Sequence, residues 1–233
     1  MSPRRTRNRN AGAGLRRRRS FLRHLPVVSL AVHLASCSTV TNPPRVSVIG
    51  DSTTFLAQPD ISMALEPSYD VGYVFRISVR IDQMLGPVVS DLQHNGPTAA
   101  AVINLGTNDA IAGGDSAHAS ESFDQLMTTI GPVKCVVLTT IGPFADRRGG
   151  SDVGASLNRT MAALVAADPR RYKLVDWYGF LMAQGSRASL IYLQPDLIHE
   201  APAGAHWIAS SDRAALDTCG TRERAPTIRA PGS

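Results

Sequence analysis

Four residues whose types can do chemistry together are spread along this chain: Ser52, Asn108, Asp196 and His199. A serine hydroxyl becomes a useful nucleophile when a histidine takes its proton, and a carboxylate on the other ring nitrogen holds that histidine in the right tautomer. Asp196 and His199 stand three apart in Pro195-Asp196-Leu197-Ile198-His199, close enough to meet across one turn. Ser52 ends the run Val48-Ile49-Gly50-Asp51-Ser52, where an apolar strand-like stretch gives way to a helical one. At such a turn the hydroxyl projects outward, while backbone N–H groups and the helix N-terminus favour developing negative charge. Asn108, in Asn104-Leu105-Gly106-Thr107-Asn108-Asp109, offers a side-chain amide to a tetrahedral oxyanion. Taken singly, each has a plainer meaning: a helix cap for Ser52, a turn residue for Asn108, a surface pair for Asp196 and His199.

These groups can cooperate only if secondary structure brings them to one place. Apolar strands are predicted over residues 46–50, 69–77, 99–105, 133–141 and 173–177. Helices are predicted over 53–65, 120–130, 153–167 and 203–216, and another through Ile81, Met84, Leu85, Val88 and Leu92 at three-to-four spacing. Strands that run apolar throughout and alternate with helices imply a parallel sheet covered on both faces, a three-layer α/β/α sandwich. Ligands of such folds bind at the carboxyl ends of the strands. Ser52 follows the first strand, Asn108 the third, and Asp196 and His199 precede the last helix, so one rim collects them all.

Other polar residues fit supporting parts. Asp176 falls at a strand end near the same rim, with a structural role expected, and Asp51 and Asp109 are expected to hydrogen-bond their own turns. His118 and His206 have no metal-ligand spacing and no His-Glu-x-x-His occurs, so neither a metal nor another cofactor is expected. Gly149-Gly150-Ser151-Asp152 reads as a loop before a helix.

Together these segments resemble the SGNH (GDSL-type) hydrolase superfamily over about residues 45–217. Gly50-Asp51-Ser52 matches its first block, Gly106-Thr107-Asn108-Asp109 its third, and Asp196-Leu197-Ile198-His199 its last. Ala201-Pro202-Ala203-Gly204-Ala205 resembles the start of its closing helix. The resemblance implies a flavodoxin-like sandwich with Ser52 as nucleophile, His199 as general base and acid, and Asp196 as its orienter. The Ser52 backbone N–H and the Asn108 amide would belong to the oxyanion hole. The second block departs from the family, which supplies a glycine N–H there, whereas this chain reads Arg76-Ile77-Ser78-Val79-Arg80. The strand-to-helix position points to the backbone N–H of Ser78 as the substitute, and Gly86, inside the following helix, reads as a packing residue.

The amino-terminal segment concerns location. Nine arginines and no acid occupy the first 23 residues, followed by an apolar run from Leu25 to Ser36 and then Cys37. That is the ordering of an export signal. Twelve helical residues rise only about 18 Å, short of the roughly 30 Å hydrocarbon core, so a permanent transmembrane helix is not expected. Arg18-Arg19-Ser20-Phe21-Leu22-Arg23 resembles the twin-arginine motif, with a general arginine-rich signal as the alternative. Leu34-Ala35-Ser36-Cys37 resembles a lipobox, which implies acylation of Cys37, the alternative being ordinary cleavage near Ser36. Residues 1–36 are thus read as signal, 37–44 as a short tether, 45–217 as the hydrolase domain and 218–233 as a tail.

Without the nine arginines the formal charge falls from +5 to −4, which removes the main support for nucleic-acid binding. Cys135, in an apolar strand, and Cys219 are able to pair in an oxidising compartment or to remain thiols. The expected function is an exported, lipid-anchored serine esterase or deacylase, acting on an acylated small molecule, glycan or lipid of the cell envelope. O-acyl transfer by the same residues, or non-catalytic binding of such ligands, are the alternatives.

Overall fold

Alternation within the strands sorts their side chains onto two apolar layers. In the first strand, β1 (Arg45–Gly50), Val46 and Val48 face one way and Ile49 the other, all fully buried. The computed structural model describes residues 42–220, which contain five strands and eight α-helices. After β1 come α1 (Ser52–Leu65), β2 (Asp70–Phe75), α2 (Ile81–Asn95), β3 (Ala100–Asn104), α3 (Thr107–Ala112) and α4 (Ser116–Ile130). The second half holds β4 (Cys135–Thr139), α5 (Pro143–Gly149), α6 (Val153–Ala167), β5 (Tyr172–Val175), α7 (Trp177–Gln184) and α8 (Pro202–Asp217), with a short 3-10 turn and a π-turn between α7 and α8. The signal, Cys37 and most of the tail lie outside the described residues.

The five strands are all parallel, in the order β2-β1-β3-β4-β5. Helices α1 and α8 cover one face through Ala57, Ile61, Ala205, Ala209 and Leu216, packed on Val46, Val48, Val102 and Val137. On the other face α2, α4 and α6 bring Met84, Phe123, Leu126, Leu157 and Met161 against Ile49, Ile103, Val136 and Leu138. Each buried Val, Leu, Ile, Phe or Met among them contributes about 1.5–3 kcal/mol, so the two layers are what hold the helices against the sheet. This is the predicted three-layer sandwich. No described helix is long and apolar enough to cross a membrane.

Order reverses at β1, whose two neighbours are β2 and β3. The crevice at that switch point, outside the carboxyl ends of β1 and β3, is where sandwiches of this topology take ligands. Ser52 and Asn108 leave the sheet there.

Several boundaries differ from the sequence reading. Helix α4 begins at Ser116, not at residue 120, because the Asp115 carboxylate accepts from the Ala117 N–H and caps it (2.9 Å). The strand expected over 173–177 stops at Val175, since Asp176 caps α7 by accepting from Gly179 N–H at 2.9 Å. The strand expected to 77 ends at Phe75, and Ile77 and Ser78 form a turn. Helices α3, α5 and α7 are too short for periodicity to reveal. Gly86 is not a packing residue: it is exposed, and no atom lies within 4 Å of where its Cβ would stand. Cys135 and Cys219 are joined by a disulfide with Cα atoms 5.7 Å apart, tying the end of α8 to the sheet.

Candidate active site

Asp51 organises the turn at the end of β1. Its carboxylate Oδ1 accepts from both the backbone N–H and the hydroxyl of Thr53, each at 2.9 Å, which caps α1 and presents Ser52 in its first turn. Oδ2 accepts from Asn108 Nδ2 at 3.0 Å, reaching across 57 residues of chain. That bond holds the Asn108 amide beside Ser52 and leaves its second N–H for another acceptor. Asp51 is fully buried, and desolvation raises it above the ordinary carboxylate range against the hydrogen bonds from Thr53 and Asn108.

Asn108 is aimed by Gly106, which caps α3 with a φ of 107°. A Cβ there would stand 2.7 Å from Ile141 Cδ1 and 2.9 Å from Leu157 Cδ1, so the backbone needs glycine for both shape and room. The next acid, Asp109, accepts from the Ile81 N–H at 3.1 Å and so pins the start of α2 to α3. Burial pushes its carboxyl up to about 6. Between β2 and α2, Ser78 takes a φ of 59°, the left-handed conformation that glycine adopts most readily.

A tight loop supplies the other two residues. Leu193 and Glu200 form an antiparallel bridge, Gln194 N–H donates to His199 O (2.8 Å), and Leu197 turns the chain with a φ of 62°. Within it, Asp196 Oδ1 accepts from the backbone N–H groups of Ile198 and His199 at 3.0 and 3.1 Å. Asp196 Oδ2 stands 2.5 Å from His199 Nδ1, and His199 Nε2 stands 2.9 Å from Ser52 Oγ. Partial burial raises Asp196, but the hydrogen bonds from Ile198 and His199 outweigh it and the carboxyl ends below its usual range. The pair expected from the sequence to meet across one turn does so, and it meets Ser52.

Asp176 is a cap, bonded to Gly179 N–H and Thr140 Oγ1, and takes no part in this cluster. His206 lies 3.6 Å from Asp60, well away in sequence and partners. No group of side chains able to hold a metal occurs among the described residues. Two features escaped the sequence reading. One is the Asp51–Asn108 bond, for which no local pattern exists. The other is Glu200, whose only signal is an isolated acid between Ile198-His199 and Ala201-Pro202.

The architecture has clear counterparts among solved structures. A lipase/acylhydrolase of Enterococcus faecalis superposes with a TM-score of 0.63 at 17% identity, covering 74% of this chain and 95% of that one. A member of the lipolytic G-D-S-L family from Veillonella parvula gives 0.62 at 16%, covering 74% and 98%. The chain has the GDSL (SGNH) hydrolase fold. The C-terminal catalytic domain of Streptococcus pneumoniae peptidoglycan O-acetyltransferase A shares it too, at 0.59 and 18% identity over 77% and 96% of the two chains. No protein-family model and no curated protein matches the chain. Ser78, with its left-handed backbone, stands at the point where the resemblance implies a glycine.

Proposed function

We propose that the chain is an exported serine esterase or deacylase that hydrolyses O-acyl groups on a cell-envelope glycan or lipid. The observation that carries this reading is the unbroken relay from Ser52 Oγ through His199 to Asp196, at 2.9 and 2.5 Å. With Nδ1–H donated to Asp196, His199 Nε2 is the acceptor for the serine proton. Ser52 Oγ then bonds to the ester carbonyl carbon, and the carbonyl oxygen takes up the negative charge. The Asn108 amide, the Ser52 N–H and the Ser78 N–H are the donors assigned to that oxygen. His199 passes its proton to the departing alcohol, leaving an acyl-serine. Water attacks next, losing a proton to His199, and the carboxylic acid leaves as Ser52 recovers its hydrogen.

Transfer to a sugar hydroxyl in place of water is the second reading, favoured by the shared fold of the peptidoglycan O-acetyltransferase domain. The side chains of Asp196 and His199 are 35% and 26% exposed, which leaves water a path to the histidine and supports hydrolysis as the first. Export and lipid anchoring through Cys37 belong to the same proposal and rest on the signal-like segment and lipobox.

The test is hydrolysis of p-nitrophenyl esters from acetate to palmitate by residues 38–233, beside Ser52→Ala. The variant is expected to lose at least about 10³-fold in kcat, the scale on which removing a triad member acts. Equal turnover by the variant would sink the serine mechanism. Turnover only when a sugar acceptor is added would shift the reading to transfer.

A further inference from the structure

Six buried side-chain polar atoms among the described residues lack a hydrogen-bond partner, among them Thr54 Oγ1, Asn104 Nδ2, Thr139 Oγ1, Glu200 Oε2 and Asp212 Oδ1. Thr54 packs directly on Gly50, and Gly50 pairs with Asn104 on the next strand. Thr139 follows Leu138, the partner of Ile103, so it stands beside Asn104 one strand further on. Asp212 faces Thr139 from α8, close enough to feel its hydroxyl, although neither Asp212 Oδ1 nor Thr139 Oγ1 is in a formed hydrogen bond. Proteins pair nearly all buried polar groups, so Asn104 and Glu200, both with an unpartnered atom and both lining one small cavity, call for an explanation.

Glu200 is the member of this group nearest the site chemistry. It adjoins His199 in sequence, its backbone carbonyl accepts from Gln194 Nε2 at 3.1 Å, and its bridge to Leu193 closes the loop. Its side chain is only 5% exposed and turns inward. With Asn104, Thr53, Thr107 and Thr140 it lines a cavity of about 10 Å³. That is room for one water, and the walls offer the several polar partners such a water needs.

The charges around Glu200 come from two sides. Asp51 at the start of α1 and Asp196 on its own loop both raise the cost of a third negative charge. The lining residues from the other elements, Asn104, Thr140, Ala145, Trp177 and Leu181, are uncharged. His199 is already committed to Asp196 and Ser52. Burial pushes the carboxyl up to about 8, opposed by its own backbone N–H and reinforced by Asp51 and Asp196.

We propose that Glu200 is a positioning residue: as an uncharged acid it bridges through one buried water to the Asn104 amide, and so fixes the loop that holds Asp196 and His199 over Ser52. Ionisation leaves a carboxylate in an acidic, cation-free pocket, and the loop must open to hydrate it. His199 then loses its register with Ser52. Glutamine, with the shape and donor of the neutral acid, reproduces the closed loop without the ionisation. Alanine removes the bridge.

The kinetic part of this inference rests on the serine-hydrolase reading, so two readouts are needed. Blank-corrected kcat/KM for p-nitrophenyl acetate and hydrogen exchange of the backbone amides in 193–201 are followed from pH 6 to 9.5 in the wild type, E200Q and E200A. Wild-type kcat/KM is expected to fall about 30-fold between pH 7 and 9.5, as one ionisation near 8 requires. E200Q restores most of the pH 7 rate that E200A loses, and its rate does not fall at high pH. Its loop amides stay protected above pH 8, where those of the wild type exchange faster at the same pH. An alkaline fall that persists unchanged in E200Q, or no fall in the wild type, overturns the proposal. If no ester is turned over at all, the serine reading fails by itself. The exchange comparison still decides Glu200, and equal protection in wild type and E200Q at pH 9 refutes it.

Discussion

Ser78 holds a backbone with φ 59°, which costs a residue with a Cβ roughly 1–2 kcal/mol that glycine does not pay. The resemblance implies a glycine at this point, and the chain has Ser78 there, in a conformation that glycine adopts readily. Ser78→Gly is therefore expected to stabilise the protein by about 1 kcal/mol in urea melts and to leave kcat within a few-fold. Ser78→Pro fixes φ near −65° and removes the N–H, and is expected to cut kcat by about 10²–10³ if that N–H meets the oxyanion. Full activity in the proline variant would remove Ser78 from the oxyanion hole. Ser78 was legible in the sequence by position alone; its backbone strain was not, because φ depends on how β2 and α2 are joined in space.

At the scale of elements, a six-residue helix carries much of the site. Helix α3 is too short to be stable alone and is held by what surrounds it. Gly106 seats its first turn against Ile141 and Leu157, and Asp109 at 3.1 Å from the Ile81 N–H ties it to α2. Gly106→Ala would push a methyl into two apolar side chains at a φ that L-residues avoid. The expected cost is about 2–3 kcal/mol, together with a loss of kcat larger than that at any exposed glycine, because α3 carries Asn108. Denaturant melts and kinetics on the same protein check both. The Gly-Thr-Asn-Asp run was readable from the sequence, whereas the helix itself was not: six residues give fewer than two turns of periodicity. The start of α4 slipped for a related reason, since Asp115 caps it from outside the apolar pattern.

Over the whole molecule, buried acids set the dependence of stability on pH. Burial raises Asp109 to about 6 and both Glu200 and Asp212 to about 8, and Asp51 moves in the same direction. A carboxyl that binds its proton more tightly folded than unfolded contributes stability that is fully present below its unfolded value. That contribution is lost as pH rises through the folded value. Asp196, shifted the other way, contributes above its unfolded value and loses that contribution as pH falls below it. The three large shifts outweigh it, so calorimetry should show Tm falling steadily from pH 5 to pH 9. Asp212→Asn should flatten part of that fall; an unchanged slope would mean Asp212 is not the buried acid responsible. The disulfide between Cys135 and Cys219 acts on the unfolded chain. Closing a loop of 84 residues is worth about 4–5 kcal/mol, so reduction should lower Tm by on the order of 10 °C.

The sequence by itself determined the parallel sandwich and the rim on which Ser52, Asn108, Asp196 and His199 stand. Apolar runs, helical spacing and short polar motifs are local properties, and a parallel sheet converts order along the chain into position at one edge. Tertiary structure alone decided which groups touch. The Asp51–Asn108 bond, the Cys135–Cys219 bridge and the cavity shared by Asn104 and Glu200 all join residues far apart in sequence. Their distances and the protonation of their carboxyls depend on what other segments exclude water from around them, and no local pattern records that.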